Sequence, residues 1–270
     1  MKILQNKQRI FQFAFFIASL MMLSASCGKD EPKPEPQPNT GKIHLDFDFM
    51  VDGKPLEYDT LKYQNAAGNK YLVYEIQYFI SKLTIYKDGA AKELKAWSKE
   101  HYVQSDIPST LSWDVVDDIA AGSYDSLSFV LGFTDPDNQS FMFVNKPEVD
   151  MVWPEYLGGG YHYMMINGKW EVAIDTLRGF AFHLGRGQVR DANGVPVSFI
   201  DNSFKVTLPS SSFTITKGNY TSMTVRMNVE EWFKNPTDYD HNTWGGDIME
   251  NQPAMLTAKN NGWNVFELIK

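Results

Sequence analysis

The segment KIHLDFDFMVDG, residues 42–53, alternates apolar and polar side chains along almost its whole length. One face carries only apolar residues, namely Ile43, Leu45, Phe47 and Phe49. A strict period of two is typical of a half-buried β-strand. The Asp52-Gly53 pair that ends the segment is a hairpin-turn signal. The segment therefore predicts a strand with one face in a core, followed by a tight turn.

The same kind of pattern recurs along the rest of the chain. Further strands are predicted within residues 69–89, 124–133, 159–174, 178–185, 203–209, 211–216 and 222–233. Glycine, proline, asparagine and aspartate separate them, as in domains with many short strands. Helical segments are expected only at 75–83, around 111–122 and within 245–266. We therefore predict an all-β domain at residues 41–270, an antiparallel β-sandwich or partly closed barrel with a few short helices.

The first residues have the composition of an export signal. Lys2, Lys7 and Arg9 precede an apolar run at 10–23, and small residues then lead to Cys27. The apolar run is too short for a typical spanning helix and fits a secretory signal. It resembles a bacterial lipoprotein signal of the Bacteroidetes type. By that resemblance residues 1–26 are the signal peptide and Cys27 becomes the acylated N-terminus; the alternative is an ordinary signal peptide with an incidental cysteine.

Residues 27–40 have a different composition from the domain that follows. Prolines alternate there with charged and polar side chains, a composition that favours extended chain over a packed core. We interpret this segment as a tether between a lipid anchor and the folded domain. Its Lys29-Asp30-Glu31 run resembles an acidic surface-export signal. The expected location is the outer membrane, facing the periplasm or the cell surface.

Charge and motifs exclude several classes of function. The formal net charge of −8 becomes more negative once the three basic residues of the signal are removed, which argues against nucleic acid as a partner. Because Cys27 is the only cysteine, the domain has no disulfide, thiolate metal site or cysteine nucleophile. No dinucleotide, P-loop, HExxH or GxSxG motif is present. We expect a protein that is not an enzyme.

Histidines are the side chains most suited to a metal. Three of the five stand in strand-like segments: His44 in IHLDFDF, His162 between two tyrosines, and His183 in FAFHLG. Imidazole is a good ligand for copper and zinc, but a core histidine with satisfied nitrogens is the alternative for each. Met142, Met151 and the Met164-Met165 pair could supply thioethers for Cu(I). Core packing is the favoured role of these methionines.

Several segments, in order, resemble the MbnP-like family, copper-binding proteins associated with methanobactin systems and found widely as Bacteroidetes lipoproteins. They are HLDFDFMVDGKPL, YQNAAGNKYLVYEIQYFISKLTIY, IAAGSYDSLSFVLGFTD, KPEVDMVWPEYLGGGYHYMMINGKWE, FAFHLG and DIMENQPAMLTAKNNGWNVFEL. Together they span nearly the whole domain. The resemblance implies a secreted β-rich protein that binds copper through histidines.

Carried over by position, the resemblance ranks His183 of FAFHLG first as a ligand, His44 of the opening strand second and His162 third. Trp153, in MVWPEY, matches a tryptophan that relatives oxidise to kynurenine with a partner di-haem peroxidase-like enzyme. The competing hypotheses are a surface glycan- or peptide-binding lipoprotein that uses exposed aromatics and has lost the metal site, and a purely structural or adhesive lipoprotein.

Overall fold

The alternating segment at 42–53 forms the central strand of a five-stranded sheet in the computed structural model, which describes residues 39–95, 100–208 and 210–270. Numbered in chain order through the whole domain, the strands of this sheet are β1 (Thr40–Val51), β2 (Lys54–Pro55), β7 (Ser112–Ala120), β16 (Tyr220–Asn228) and β17 (Phe266–Ile269). β1 pairs with β2, β7 and β16. Asp52 and Gly53, both at positive φ, make the tight turn from β1 to β2.

A larger sheet of eight strands faces the first. Its strands are β3 (Tyr63–Gln64), β4 (Lys70–Lys87), β5 (Ala90–Glu93), β6 (Glu100–Gln104), β9 (Ser126–Leu131), β10 (Met164–Ala173), β11 (Thr176–Leu184) and β14 (Phe204–Thr207). The path runs β11-β10-β4-β9-β14, and β3, β5 and β6 also pair with β4. β4 is therefore the strand on which this sheet is assembled.

Aromatic side chains fill the space between the two sheets. Phe47 and Phe49 of β1 meet the ring of Tyr78 on β4, with centroids 6.5 and 6.4 Å apart. Phe266 of β17 packs against Tyr78 and against Phe129 of β9. The apolar face of the opening strand thus forms the core, as its alternation predicts.

Short elements complete the described fold. Two further ribbons pair β12 (Gly187–Arg190) with β13 (Pro196–Ile200) and β8 (Gly122–Tyr124) with β15 (Phe213–Ile215). The helices are α1 (His241–Trp244) and α2 (Gln252–Asn261), and the 3-10 turns are Pro108–Thr110, Glu148–Met151, Glu155–Leu157, Val229–Phe233 and Gly262–Asn264. None of the described helices is long and apolar enough to cross a membrane.

The predicted all-β sandwich is confirmed, with one difference in strand direction. β1 and β16 run parallel, from the pair Lys42 and Tyr220 to the pair Met50 and Asn228, whereas the other described pairs of strands are antiparallel. The sandwich is therefore mixed rather than purely antiparallel.

Two of the three expected helical segments are wrong. Residues 75–83 lie within β4 and residues 112–120 form β7. The β4 segment is buried on both faces, because the other sheet covers one face and Phe133 and Phe143 cover Phe79 on the other. A strand buried on both faces loses its period of two and cannot be told from a buried helix by pattern alone. The third expectation is confirmed by α2.

Several predictions concern residues outside the described part of the chain. These are the signal peptide at 1–26, the lipidated Cys27, the tether at 27–40 as far as residue 38, and Trp97, one of the seven tryptophans that the glycan-binding alternative offers as stacking platforms.

Candidate functional site

The candidate site lies on the outer face of the larger sheet, opposite the inter-sheet core. Alternate residues of β10 and β11 are buried in the core, and the residues between them are only half-buried. His183 belongs to this second set, and its neighbour across the strands is Met165. Residues 151–162 fold over this face as a small loop, held by the bonds from Trp153 N to Gly160 O and from His162 N to Met151 O. The loop brings Trp153 and His162 to the sheet.

His183 has one ring nitrogen bonded and one left over. Nε2 lies 2.8 Å from the side-chain oxygen Oδ1 of Asn167 on β10. An amide oxygen only accepts, so Nε2 carries the proton and Nδ1 holds the lone pair. Nδ1 is buried and has no hydrogen-bond partner among the described residues.

His162 has the opposite arrangement. Its Nδ1 donates to the backbone oxygen of Met151 at 3.0 Å, so the lone pair is on Nε2. That atom is also buried, and no residue in the described part of the chain forms a hydrogen bond with it. The two imidazole rings lie 5.1 Å apart between centroids, nearly perpendicular to one another. The site therefore offers two neighbouring imidazoles, each with one fixed N–H and one free lone pair.

Trp153 forms one wall of the site. Its indole is wholly buried, lies 4.7 Å from the His162 ring between centroids, and donates from Nε1 to the oxygen of Leu157. A Cβ on Gly185 would fall 2.4 Å from the indole carbon Cε3 of Trp153. The glycine of FAFHLG thus leaves the space in which the tryptophan packs beside the histidines.

Burial keeps both imidazoles neutral. It lowers the pKa of His162 to about 4, against the smaller opposing effect of the hydrogen bond to Met151. Burial and then the neighbouring His162 lower the pKa of His183 to about 3. Above pH ~5 both rings are therefore neutral, each with one N–H and one lone pair, and the neutral form is the one that binds a metal.

Three residues around the histidines were not predicted as site residues from the sequence. Asn167 and Asp247 were not named, and Met165 was assigned to core packing. Asn167 orients His183, and Met165 lies across from His183 on the same face of the sheet. Asp247 forms an isolated parallel β-bridge with Ala181 of β11. The charge of Asp247 raises the pKa of His162 slightly. The period of two in residues 164–170 places Met165 and Asn167 on one face, so this signal was present in the sequence. The position of Asp247 comes from a loop and had no such signal.

The structure does not bring His44 to this pair. His44 lies on β1 in the other sheet, where Nδ1 is 2.6 Å from Asp114 and Nε2 is 3.3 Å from Asp46. The hydrogen bond with Asp114 raises the pKa of His44 above its ordinary value. Both nitrogens of His44 thus have carboxylate partners at the protein surface.

The remaining two histidines pack against aromatic rings in different settings. His101 stacks between Phe47 and Trp113, and its Nε2 bonds to the oxygen of Thr110. His241 is buried among aromatic rings, and neither of its ring nitrogens has a partner in the described ranges.

Tryptophans do not form an exposed platform in the described part of the chain. Four are buried, namely Trp113, Trp153, Trp170 and Trp232. Trp244 is partly buried against the core, and Trp263 is 60% exposed. A stacking surface for glycans would therefore depend on Trp263 and on non-tryptophan aromatics such as Phe141 and Tyr156, which are exposed elsewhere.

The chemistry of the pair fits a metal ion that prefers imidazole. A buried acceptor without a partner costs ~1–3 kcal/mol, and His162 and His183 each have one. A cation bound to both lone pairs would remove that cost. Among the described residues, no group of three or more histidine, cysteine, aspartate or glutamate side chains is placed to hold a metal, so a metal at this place would meet only these two side chains of those types.

Comparisons with known proteins agree with this fold. The sequence model of the family described as MbnP matches residues 40–250. The solved structure of MbnP from Methylosinus trichosporium aligns with a TM-score of 0.54 at 13% identity, over 85% of this chain and 98% of that one. No curated protein sequence matches the chain significantly.

Proposed function

Because this chain belongs to the MbnP family, we propose that it binds copper at the His162–His183 pair. In this proposal it acts as a copper-handling protein without catalysis of its own. The observation that carries the proposal is the pair of buried, partnerless nitrogens on rings 5.1 Å apart. Both lone pairs are presented without competition from protons, since burial lowers the pKa of each ring well below neutrality.

The donor set favours copper over zinc. Protein zinc sites use three or four histidine, cysteine or carboxylate ligands, and the described residues offer no such group. A site with only two imidazoles suits copper better than zinc, and an added thioether favours Cu(I) in particular. Met165 is half-buried directly across from His183, so we infer that its sulfur is available as a soft additional ligand.

Trp153 is the candidate for oxidative modification. Its contact with His162 places the indole beside the proposed ligands. The partner that the resemblance implies is a di-haem peroxidase-like enzyme. Because the indole of Trp153 is wholly buried, such a partner would have to act without touching the ring. The mass of the peptide that contains Trp153, from protein purified from its native host, tests this part of the proposal.

The cellular setting is proposed from the sequence. A lipidated Cys27 followed by a proline-rich tether would hold the domain at the outer membrane, on the periplasmic or the outer side. Labelling with a radioactive fatty acid, compared between the wild type and Cys27→Ala, tests the anchor. Equal labelling of the two proteins would contradict it.

The function is tested by metal analysis of the purified protein after exposure to Cu(I) and to Cu(II) and removal of free metal. We expect about one copper per wild-type chain and almost none in His183→Ala or His162→Ala. His44→Ala is the matched control, because it removes a histidine with carboxylate partners, and it should keep the wild-type copper content.

Two results would contradict the proposal. Equal copper in all four proteins would place the metal elsewhere. No copper in the wild type would favour the glycan- or peptide-binding alternative, for which Trp263→Ala is then the first variant to test against a glycan panel.

A further inference from the structure

A polar network extends from His183 to the carboxylate of Glu75 across three neighbouring strands. Asn167 of β10 pairs with Glu75 on β4 on one side and with Ala181 on β11 on the other. Residues paired across strands lie on the same face of the sheet. Glu75, Asn167 and His183 therefore share the outer face.

The hydrogen bonds of this network have only one consistent direction. Asn167 donates from Nδ2 to Glu75 Oε2 at 3.0 Å and accepts at Oδ1 from His183 Nε2 at 2.8 Å. A carboxylate accepts and does not donate, so Glu75 requires the NH₂ group of Asn167 to face it. The amide oxygen must then face His183, whose Nε2 has to carry the proton.

Glu75 is itself held in place. Its second oxygen, Oε1, accepts from Nε2 of Gln104 on β6 at 3.3 Å, and Gln104 Oε1 accepts from the hydroxyl of Tyr102 at 2.6 Å. Strand β4 has an extra residue, Tyr74, opposite the step from Asn167 to Gly168. This irregularity lies directly next to Glu75, as bulges often do beside functional sites.

We propose that Glu75 is a positioning residue that acts through Asn167 to fix which nitrogen of His183 binds the metal. This proposal rests on the copper role proposed for His183 and deepens it. Acceptor-only Glu75 orients the amide of Asn167, the amide oxygen holds the proton on Nε2, and Nδ1 is left as the ligand atom. Partners of this kind set the tautomer of metal-binding histidines, and their loss typically weakens metal binding by about 10–100-fold.

The test reads the tautomer of His183 directly, in the metal-free protein. Long-range ¹H–¹⁵N correlation spectra distinguish a histidine protonated on Nε2 from one protonated on Nδ1. The wild type should show His183 only in the Nε2–H form. Glu75→Gln, whose amide can donate as well as accept, should give a mixture of the two forms.

Glu75→Lys gives the sharper result. An ammonium group only donates, so Asn167 should turn its oxygen toward residue 75 and its NH₂ toward His183. His183 should then change to the Nδ1–H form, and Cu(I) affinity measured by competition with a chromophoric chelator should fall about 10–100-fold. Glu171→Lys is the matched control, because Glu171 is on β10, like Asn167, but forms an ion pair with Lys70 and is not part of this network. It should change neither the tautomer nor the affinity.

Failure of this inference and failure of the copper proposal give different results. Wild-type tautomer and wild-type affinity in both Glu75 variants would overturn the inference and leave copper binding intact. A drop in affinity with the tautomer unchanged would also overturn it, because the effect would then be only structural. A wild type that binds no copper, with a tautomer that still follows Glu75, would support the network and overturn the copper role.

Discussion

In the part of the chain that the structure describes, histidine nitrogens are buried without a partner at two places, and these differ in how the rings are held. At the His162–His183 pair each ring has one nitrogen fixed by a hydrogen bond, and the second ring lies 5.1 Å away. Neither ring nitrogen of His241 has a hydrogen-bond partner among the described residues, and aromatic rings surround the imidazole. It stacks on Phe180 at 4.5 Å and on Trp170 at 5.6 Å, and Phe233 and Tyr239 close the other sides.

The difference shows that an unpartnered nitrogen alone does not identify a metal ligand. Burial lowers the pKa of His241 to about 4, as it does for His162. What distinguishes the pair is that hydrogen bonds hold each ring in one tautomer and that two lone pairs occur together. Around His241 the ring has no fixed tautomer and no second donor ring, so we interpret it as a packing residue.

The largest effect expected from this comparison is on copper content. His162→Phe should reduce bound copper from about one per chain to nearly none, because it removes one of the two proposed ligands. His241→Phe should bind as much copper as the wild type, since only a packing residue changes. Metal analysis of the two variants side by side checks this, and loss of copper from His241→Phe would remove the distinction drawn here.

The next effect concerns stability in acid. An unfolded histidine has a pKa of 6.5, and burial holds the folded pKa of His241 at about 4. As the pH falls from 6.5 toward 4, the unfolded chain gains a proton that the folded ring does not accept. Stability that is fully present above 6.5 is therefore lost through this window. His241→Phe should lose roughly 3 kcal/mol less than the wild type, at about 1.4 kcal/mol per pKa unit.

Urea unfolding of both proteins at pH 6.5 and pH 4 measures this difference. The variant also loses two buried polar atoms without partners, so it should be at least as stable as the wild type above pH 6.5. An equal loss of stability in both proteins on acidification would mean that His241 is protonated in the folded state.

A smaller effect should come from the packing of Trp153 beside the His162–His183 pair. Gly185→Ala brings a methyl group against the indole of Trp153, and such overpacking typically costs ~1–3 kcal/mol. Gly179→Ala is the matched control on β11, which ends just before Gly185, because the nearest atom to the Cβ at position 179 is 3.9 Å away. Thermal unfolding should show a clear loss for Gly185→Ala and little change for Gly179→Ala. Similar curves for the two would mean that Trp153 moves aside without cost.

The smallest effect is expected at His44, where the sign of the pH dependence is reversed. Its hydrogen bond with Asp114 raises the pKa, so its contribution is present below 6.5 and is lost as the pH rises through the folded pKa. Exposed pairs of this kind contribute only ~0–1 kcal/mol. An NMR titration should show a lower pKa for His44 in Asp114→Asn and no change in Asp118→Asn. An unchanged pKa in Asp114→Asn would exclude the hydrogen bond as the cause.

The sequence predicted the sandwich because alternation in β1, β10 and β11 reports directly which face enters the core. It failed at β4, where both faces are covered and the pattern disappears. In the site, Trp153, His162 and His183 lie close together because the loop 151–162 comes directly before β10 and β10 pairs with β11. These residues were named from the sequence, and their roles in copper binding stay predictions.

The parts of the site that sequence did not reveal depend on contacts between distant segments. Asn167 reaches Glu75 over 92 positions, and no local pattern carries that information. His44 resembles a ligand in its strand, but the two sheets place it on the other side of the sandwich from the His183 strand. Knowledge of which strands share a sheet is needed to see that His44 and His183 lie far apart.

The parallel pairing of β1 with β16 also has a consequence for the order in which the chain acquires its structure. Asp48 of β1 binds Arg226 of β16 across 178 positions. A ribosome adds ~5–20 residues per second, so the first strand waits on the order of ten seconds for its partner to be made. During that time one edge of a strongly apolar strand is open to pairing with other chains. We therefore expect newly made chains to need a holding chaperone until β16, which ends at Asn228, has been made.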